Sequence, residues 1–459
     1  MRKGVIVAKK EKLKMTPRQK GLFPIIILGA FFEGFDDGLI NIALPYIKLS
    51  FDLDDQMAGF MLSIIAIGTV VAFVASRLAD SVGRRPVFLW CVYGYSIASL
   101  LTAFAPWLWL FITFQFIARI FLIGCWSVGY VILCEEFKAE NRGWAVGRFQ
   151  LVAVFGALLV GLLLPLVVGG GEAGTEVAER WPTWQILFMV GALPLIPTLI
   201  FRKKLPETEA FLLRKQQAAE GTLPEKTDFF EVWKAPHRKF IIIMSLVWFF
   251  FYFGIKGSLN FFSTRVVEEL HWLPSDITIA VASATIIGIF IIGLNGKLLD
   301  ILGRKKAALL IISLGVATSF TTFMLDNYWA IIIFNVVATG CLNSFLMIGS
   351  TLTNELFPTQ IRGNAMAWAN NIFGRIGQIL VPTFIGTLTL WMTLGHAIAI
   401  AMLFPLISLF LIMAFLPETS KRSLIGDGSE ETPQAIAEQE LETDAELLAE
   451  STTIQSEGE

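Results

Sequence analysis

Apolar residues run along this chain in blocks of about 20, each long enough to cross the ~30 Å of hydrocarbon in a bilayer. Twelve such blocks are predicted as helices: 23–47, 57–79, 87–105, 108–134, 144–169, 184–202, 239–264, 277–299, 307–325, 328–354, 364–389 and 392–416. Polar stretches between them are short, except for 203–238, which is rich in Lys, Glu and Pro and divides the blocks six and six. The composition agrees: 16% of residues are charged, where soluble domains carry about 25%. An all-α membrane protein of twelve transmembrane helices follows.

Residues 1–20 are basic and hold no apolar core, so the first block is read as a retained membrane helix and not a cleaved leader. The net charge of −2 hides a segregation. With the N-terminus in the cytoplasm, about 30 of the 36 Lys and Arg fall in cytoplasmic segments, as the positive-inside bias requires. Only Lys48, Arg180 and Arg265 are placed in outer loops. Both termini are therefore expected inside a plasma or inner membrane. Five segments follow: a basic cytoplasmic end at 1–21, a six-helix half at 22–202, the central loop at 203–238, a second half at 239–416, and an acidic cytoplasmic tail at 417–459. The tail has eleven acids after 426 and no Lys or Arg after Arg422, a disordered composition. It is a solvated tail or a docking element.

The two halves carry a repeat. Arg77-Leu78-Ala79-Asp80-Ser81-Val82-Gly83-Arg84-Arg85 matches Lys297-Leu298-Leu299-Asp300-Ile301-Leu302-Gly303-Arg304-Lys305, an offset of 220 residues. The same offset relates Glu135 and Arg142-Gly143 to Glu355 and Arg362-Gly363. Leu205-Pro206-Glu207-Thr208 and Leu416-Pro417-Glu418-Thr419 follow the sixth and twelfth blocks. Parallel six-helix repeats are a known transporter plan. The D-x-x-G-R-[RK] loops resemble the signature of the major facilitator superfamily. The "E…RG" and "PET" motifs resemble its sugar-porter and organic-acid-symporter branches. That resemblance implies two pseudo-symmetric halves rocking about a central site, and gating roles for Asp80, Gly83, Arg84, Arg85, Glu135, Arg142, Asp300, Gly303, Arg304, Glu355 and Arg362. Asp80 and Asp300 are expected to face a helix N-terminus of the opposite half, and the arginines to pair with Glu135 and Glu355. Ser76 and Ser81 depart from the family pattern.

Ionisable residues inside a span are costly and mark function by default. In the first helix Glu33, Asp37 and Asn41 fall at i, i+4 and i+8, with Asp36 beside them and Phe31, Phe35 and Ile42 opposite. Gly34 and Gly38 invite a close helix neighbour. Three carboxylates within one turn cannot all ionise cheaply, so one is expected to hold a proton. Glu33-Gly34-Phe35-Asp36 resembles the acid-Gly-aromatic-Asp motif of aromatic-acid:proton symporters, which implies proton coupling at Glu33 and Asp36; Asp37 is extra to that motif and is a further proton-coupling candidate, with Arg119. The family's usual fourth-helix arginine is Gln115 here, and Arg119 stands one turn later, where it could neutralise the acids.

Candidate substrate residues are Asn41, Gln115, Trp126, Lys256, Asn260, Asn371, Arg375 and Gln378; in the eleventh helix Arg375 falls at helical spacing, three or four residues from both Asn371 and Gln378. Lys256 either meets an anionic solute or balances the first-helix acids. Trp126 is either a stacking platform or core. Gly156, Gly161 and Pro165 lack the Gly-Pro arrangement of drug antiporters. No phosphate-binding loop or catalytic motif is present, and the four cysteines have no metal-ligand spacing. The reading is a monomeric, proton-coupled transporter of a small organic solute, an anion by preference. It needs no cofactor beyond the proton gradient, no metal and no nucleic acid, and it is not an enzyme. The alternatives are a uniporter or sugar transporter of the same fold, or a solute sensor signalling through the tail.

Overall fold

The computed structural model describes residues 15–169, 183–201, 206–220 and 228–419. The expectations for residues 1–14, Arg180 and the acidic tail beyond 419 lie outside the described residues. The predicted blocks are helices, labelled α1 (Pro17–Phe51), α2 (Asp55–Val82), α3 (Arg84–Ala103), α4 (Leu108–Glu136), α5 (Ala139–Val168) and α6 (Trp184–Ile200) in the first half. The second half holds α7 (Arg238–Glu268), α8 (Pro274–Leu302), α9 (Arg304–Met324), α10 (Tyr328–Leu356), α11 (362–388) and α12 (Leu394–Phe415). Among the described residues nine are long and apolar enough to cross a membrane by length and composition alone. The other three are informative: α1 carries three carboxylates, α6 is short, and α11 is interrupted by a π-helical turn at Ala367–Gly374.

Polar caps fix where the helices begin. Thr16 and Gln19 close a capping box on α1, Asp54 accepts the Met57 amide on α2, and Asn327 accepts the Ala330 amide on α10. The face from which α1 starts also receives the ends of α2, α6, α8 and α12; it is called the terminal face, and its opposite the distal face.

Small residues set the packing. A side chain at Gly34 of α1 would fall on the Ala153 carbonyl of α5, and one at Gly156 of α5 on the Phe31 carbonyl of α1. Gly38 lies one turn on, against Ala157. The close approach expected of Gly34 and Gly38 is therefore made, and its partner is α5.

Two expectations about distal charges are corrected. Lys48 and Arg265 are not in loops. Each lies in the last turn of a helix and is buried, Lys48 against Asp55 and Glu268, Arg265 against Glu269 and Asp326. The helices run a turn further than their apolar blocks because carboxylate partners offset the cost of burying these cations.

Candidate functional site

The polar face of α1 meets α4 and α7 near mid-membrane. Asp37 stands between two cations: Arg119 Nη1 of α4 donates to its Oδ1 at 2.9 Å, and Lys256 Nζ of α7 reaches its Oδ2 at 3.1 Å. The Asp37–Lys256 pair joins the two halves. Asn41 Nδ2 donates to the Asp37 backbone carbonyl at 2.7 Å.

Asp37 was the acid left over by the sequence motif, and Arg119 was expected to serve Glu33 and Asp36. The geometry differs. One residue along a helix is a turn of about 100°, so Asp36 and Asp37 point different ways. Asp37 shares the stripe of Glu33 and Asn41 toward the other half. Asp36 is 1% exposed, and neither of its carboxylate oxygens has a hydrogen-bond partner. It sits in electrostatic range of Arg119 and of Tyr95 on α3. The Tyr95 hydroxyl is itself buried, near Ser99. Glu33 makes no hydrogen bond or ion pair among the described residues, yet lies in electrostatic range of Lys256, Arg119 and Arg375.

Arg375 begins the regular part of α11 directly after the π turn. Its Nη1 donates to Gln378 Oε1 at 2.8 Å, and its guanidinium lies 5.1 Å over the Tyr252 ring, one turn before Lys256 on α7. Arg375, Gln378, Tyr252 and Lys256 thus share one neighbourhood with the α1 acids. Other candidates are placed elsewhere. Gln115 is buried and donates to Thr102 of α3 at 3.0 Å. Trp126 packs on Phe149 of α5 with ring centroids 4.4 Å apart, which favours core over stacking platform. Asn260 is half-buried on α7. Asn371 is exposed, while its neighbour Asn370 turns its Oδ1 inward; the expected spacing from Asn371 to Arg375 assumed an α-helix, and the π turn changes the register.

On the terminal face the repeated motifs form two matching networks. Arg84 pairs with Glu135 at 2.9 Å and Arg304 with Glu355 at 2.8 Å. Gly83 and Gly303, with φ of 122° and 83°, start α3 and α9 in a conformation that glycine tolerates best. The exposed amides there are capped by the "PET" carboxylates: Glu207 accepts Arg84 N at 2.9 Å and Arg85 N at 3.2 Å, and Glu418 accepts Arg304 N at 2.8 Å and Lys305 N at 2.9 Å. Thr208 and Thr419 hydroxyls bond Glu135 and Glu355. The sequence flagged the duplicated "PET" without a role for it.

Asp80 and Asp300 do not cap a helix of the opposite half in this conformation. Both are exposed, and they pair within their own half with Arg84 (3.0 Å) and Arg304 (3.9 Å). Glu207 and Glu418 occupy the capping role instead. Arg142 is exposed in the first turn of α5, and Arg362 Nε donates to the Phe357 carbonyl at 3.4 Å.

The offset of 220 also runs through the site. It relates Phe31, Gly34 and Asp36 to Phe251, Gly254 and Lys256, and Lys48 to Glu268. Lys48 Nζ bonds Glu268 Oε2 at 2.7 Å, so equivalent positions of the two halves meet across the distal face.

A chain of two parallel six-helix halves, each with its own copy of a charged network on one face and with a shared charged site between them, has the plan of a secondary transporter. The model of the Major Facilitator Superfamily matches residues 26–272 and 256–451, and this chain belongs to that superfamily. It is 26% identical over 414 residues to the niacin transporter NiaP of Acinetobacter baylyi, covering 82% of this chain and 89% of that one. It is 26% identical over 375 residues to the cis,cis-muconate transport protein of the same organism, covering 80% and 86%. In fold it is similar to the inward open xylose transporter XylE from E. coli, with a TM-score of 0.71 at 18% identity, covering 88% of this chain and 97% of that one. The protein is a multi-pass membrane transporter of small organic solutes and not an enzyme.

Proposed function

We propose that this transporter moves a small organic anion together with a proton, by rocking its halves about the cleft between α1, α4, α7 and α11. The observation that carries the reading is a charge balance. Three carboxylates (Glu33, Asp36, Asp37) share the site with three cations (Arg119, Lys256, Arg375). A monoanion entering this site leaves one uncompensated negative charge, which is expensive at low dielectric. One proton restores the balance. Asp37 already has a cation on each oxygen, while Glu33 and Asp36 have none at hydrogen-bond distance. The proton therefore goes to Glu33 or Asp36, and the substrate carboxylate to Lys256 and Arg375, with the Tyr252 ring beside them. Niacin and muconate, for which two relatives are named, are themselves carboxylates.

With the basic terminal face in the cytoplasm, net uptake should be electroneutral for a monoanion. The test is uptake of labelled nicotinate, muconate and glucose into proteoliposomes with a pH electrode outside. Anion uptake with about one proton consumed per monoanion, and none with glucose, is the expected result. Uptake of glucose alone, or anion uptake with no external alkalinisation, overturns it.

A further inference from the structure

The segment between the halves is docked on one of them. Asn364 Nδ2 donates to the Asp228 carbonyl at 3.2 Å, and Trp368 Nε1 to the Phe229 carbonyl at 3.0 Å. Trp233 stands edge-on to Trp368 at 5.4 Å and lies 5.6 Å from Phe373. Residues 228–233 are thereby anchored to the terminal end of α11. One side chain of this segment reaches the other half. Phe229 stacks on Trp368 of α11 at 4.9 Å and 28°, and on Phe73 of α2 at 5.6 Å and 29°. Arg77 of α2 lies over the same ring at 4.3 Å. The order is Phe73, Phe229, Trp368: a ring from the loop sits between one ring from each half.

The rest of the interface explains why this matters. Among the described residues, the direct cross-half side-chain hydrogen bonds are Asp37–Lys256, Lys48–Glu268, Ser63–Thr383 (2.7 Å) and Thr278 with the Gly161 carbonyl. All lie at mid-membrane or toward the distal face. At its terminal end α2 meets α11 through Phe229, while nearer the middle of the molecule the two helices pack directly.

We infer that Phe229 is a wedge that sets the terminal opening of the transporter. It holds the ends of α2 and α11 one ring apart, and it has to leave before Phe73 can meet Trp368 and close that face. Trp368 and Phe373 belong to the π turn that leads into Arg375, so the wedge presses on the segment that carries a site cation. The inference rests on the rocking of two halves in the proposed function, but not on the identity of the solute.

The test needs no substrate. Spin labels are placed on Ser81 and Ile301, exposed on the terminal ends of α2 and α8 in different halves, in a cysteine-free background. Their distance distribution is read by pulsed electron paramagnetic resonance in lipid nanodiscs. Phe229→Ala is expected to shift the population from the long to the short distance by about tenfold, and Phe229→Trp to keep the long one. A Phe229→Ala distribution that superimposes on the parent, or that moves to longer distances as a broken latch would, overturns the wedge. Should Phe229→Ala not fold, Phe229→Leu keeps an apolar side chain without the ring, leaves Phe73 and Trp368 in place, and is expected to shift the distances the same way by a smaller factor. Failure of nicotinate transport leaves this result untouched, and an unchanged distance leaves the transport reading untouched.

Discussion

Asp37 shows how a single residue's direction decides its role. It is one position from Asp36, yet it meets both cations while Asp36 meets neither at bonding distance. The two acids should therefore fail differently. Asp36→Asn mimics a protonated acid. Where Asp36 takes the proton, this variant should keep anion uptake at low pH and lose its fall as pH rises, because the uptake form is the protonated one; where Glu33 takes it, Glu33→Gln should do so instead. Lys256→Met removes a charge-assisted contact of roughly 1.5–3 kcal/mol, about a tenfold to hundredfold loss. It should raise the half-saturating anion concentration by that factor at every pH, since it also leaves Asp37 short of a partner. Initial-rate uptake across pH for the two variants checks this; a Lys256→Met variant with an unchanged half-saturating anion concentration contradicts the assignment. The stripe Glu33, Asp37, Asn41 was legible because helical spacing alone defines a face. Which of three neighbouring carboxylates takes the arginine was not, since that depends on the height of Arg119 on another helix.

At the scale of elements, close packing of α1 against α5 is the feature most exposed to mutation. Gly34 and Gly156 each leave room for a backbone carbonyl of the other helix. Gly34→Val puts two methyls where the Ala153 carbonyl stands. It should destabilise the fold by about 3 kcal/mol or more, at or above the upper end for overpacking, because backbone cannot yield as a side chain can. Gly143→Ala, with nothing within 4 Å, should be tolerated. Thermal unfolding of the purified pair in detergent measures the difference, and equal midpoints count against the packing argument. The presence and order of the membrane helices were readable, because hydrocarbon demands a continuous apolar run, but their ends were not, as Lys48 and Arg265 show. The π turn in α11 was not: no residue in Ala367–Gly374 announces an extra backbone residue, and the register of Asn371 against Arg375 was misjudged for that reason.

At the scale of the molecule, Lys48 is a lock between the halves. It is buried on the distal face between Asp55 of its own half and Glu268 of the other. Removing one partner of such a site leaves an uncompensated charge, a loss of about 3–5 kcal/mol. Lys48→Glu places three carboxylates together and should open the distal face and stop net transport. The double variant Lys48→Glu/Glu268→Lys restores the cross-half pair and should recover a large part of the activity. Labelling of a distal-face cysteine by an impermeant maleimide follows the opening directly, and equal labelling of single and double variants removes the lock. The terminal networks of Arg84–Glu135–Glu207 and Arg304–Glu355–Glu418 are built within each half. They stiffen the halves as bodies and leave the cross-half contacts to the distal face, the site and Phe229.

The sequence by itself determined the membrane class, the helix positions, the duplication and the set of charged residues in the core. All of these follow from local rules: apolar length, helical period, and the cost of charge in hydrocarbon. Only the tertiary structure decided the partners. It paired Asp37 with Arg119 and Lys256, left Asp36 beside Tyr95, turned the "PET" carboxylates onto helix ends, buried Lys48 against Glu268, and set Phe229 between two halves. A pairing depends on distances between helices far apart in the chain, and spacing along one helix does not contain them.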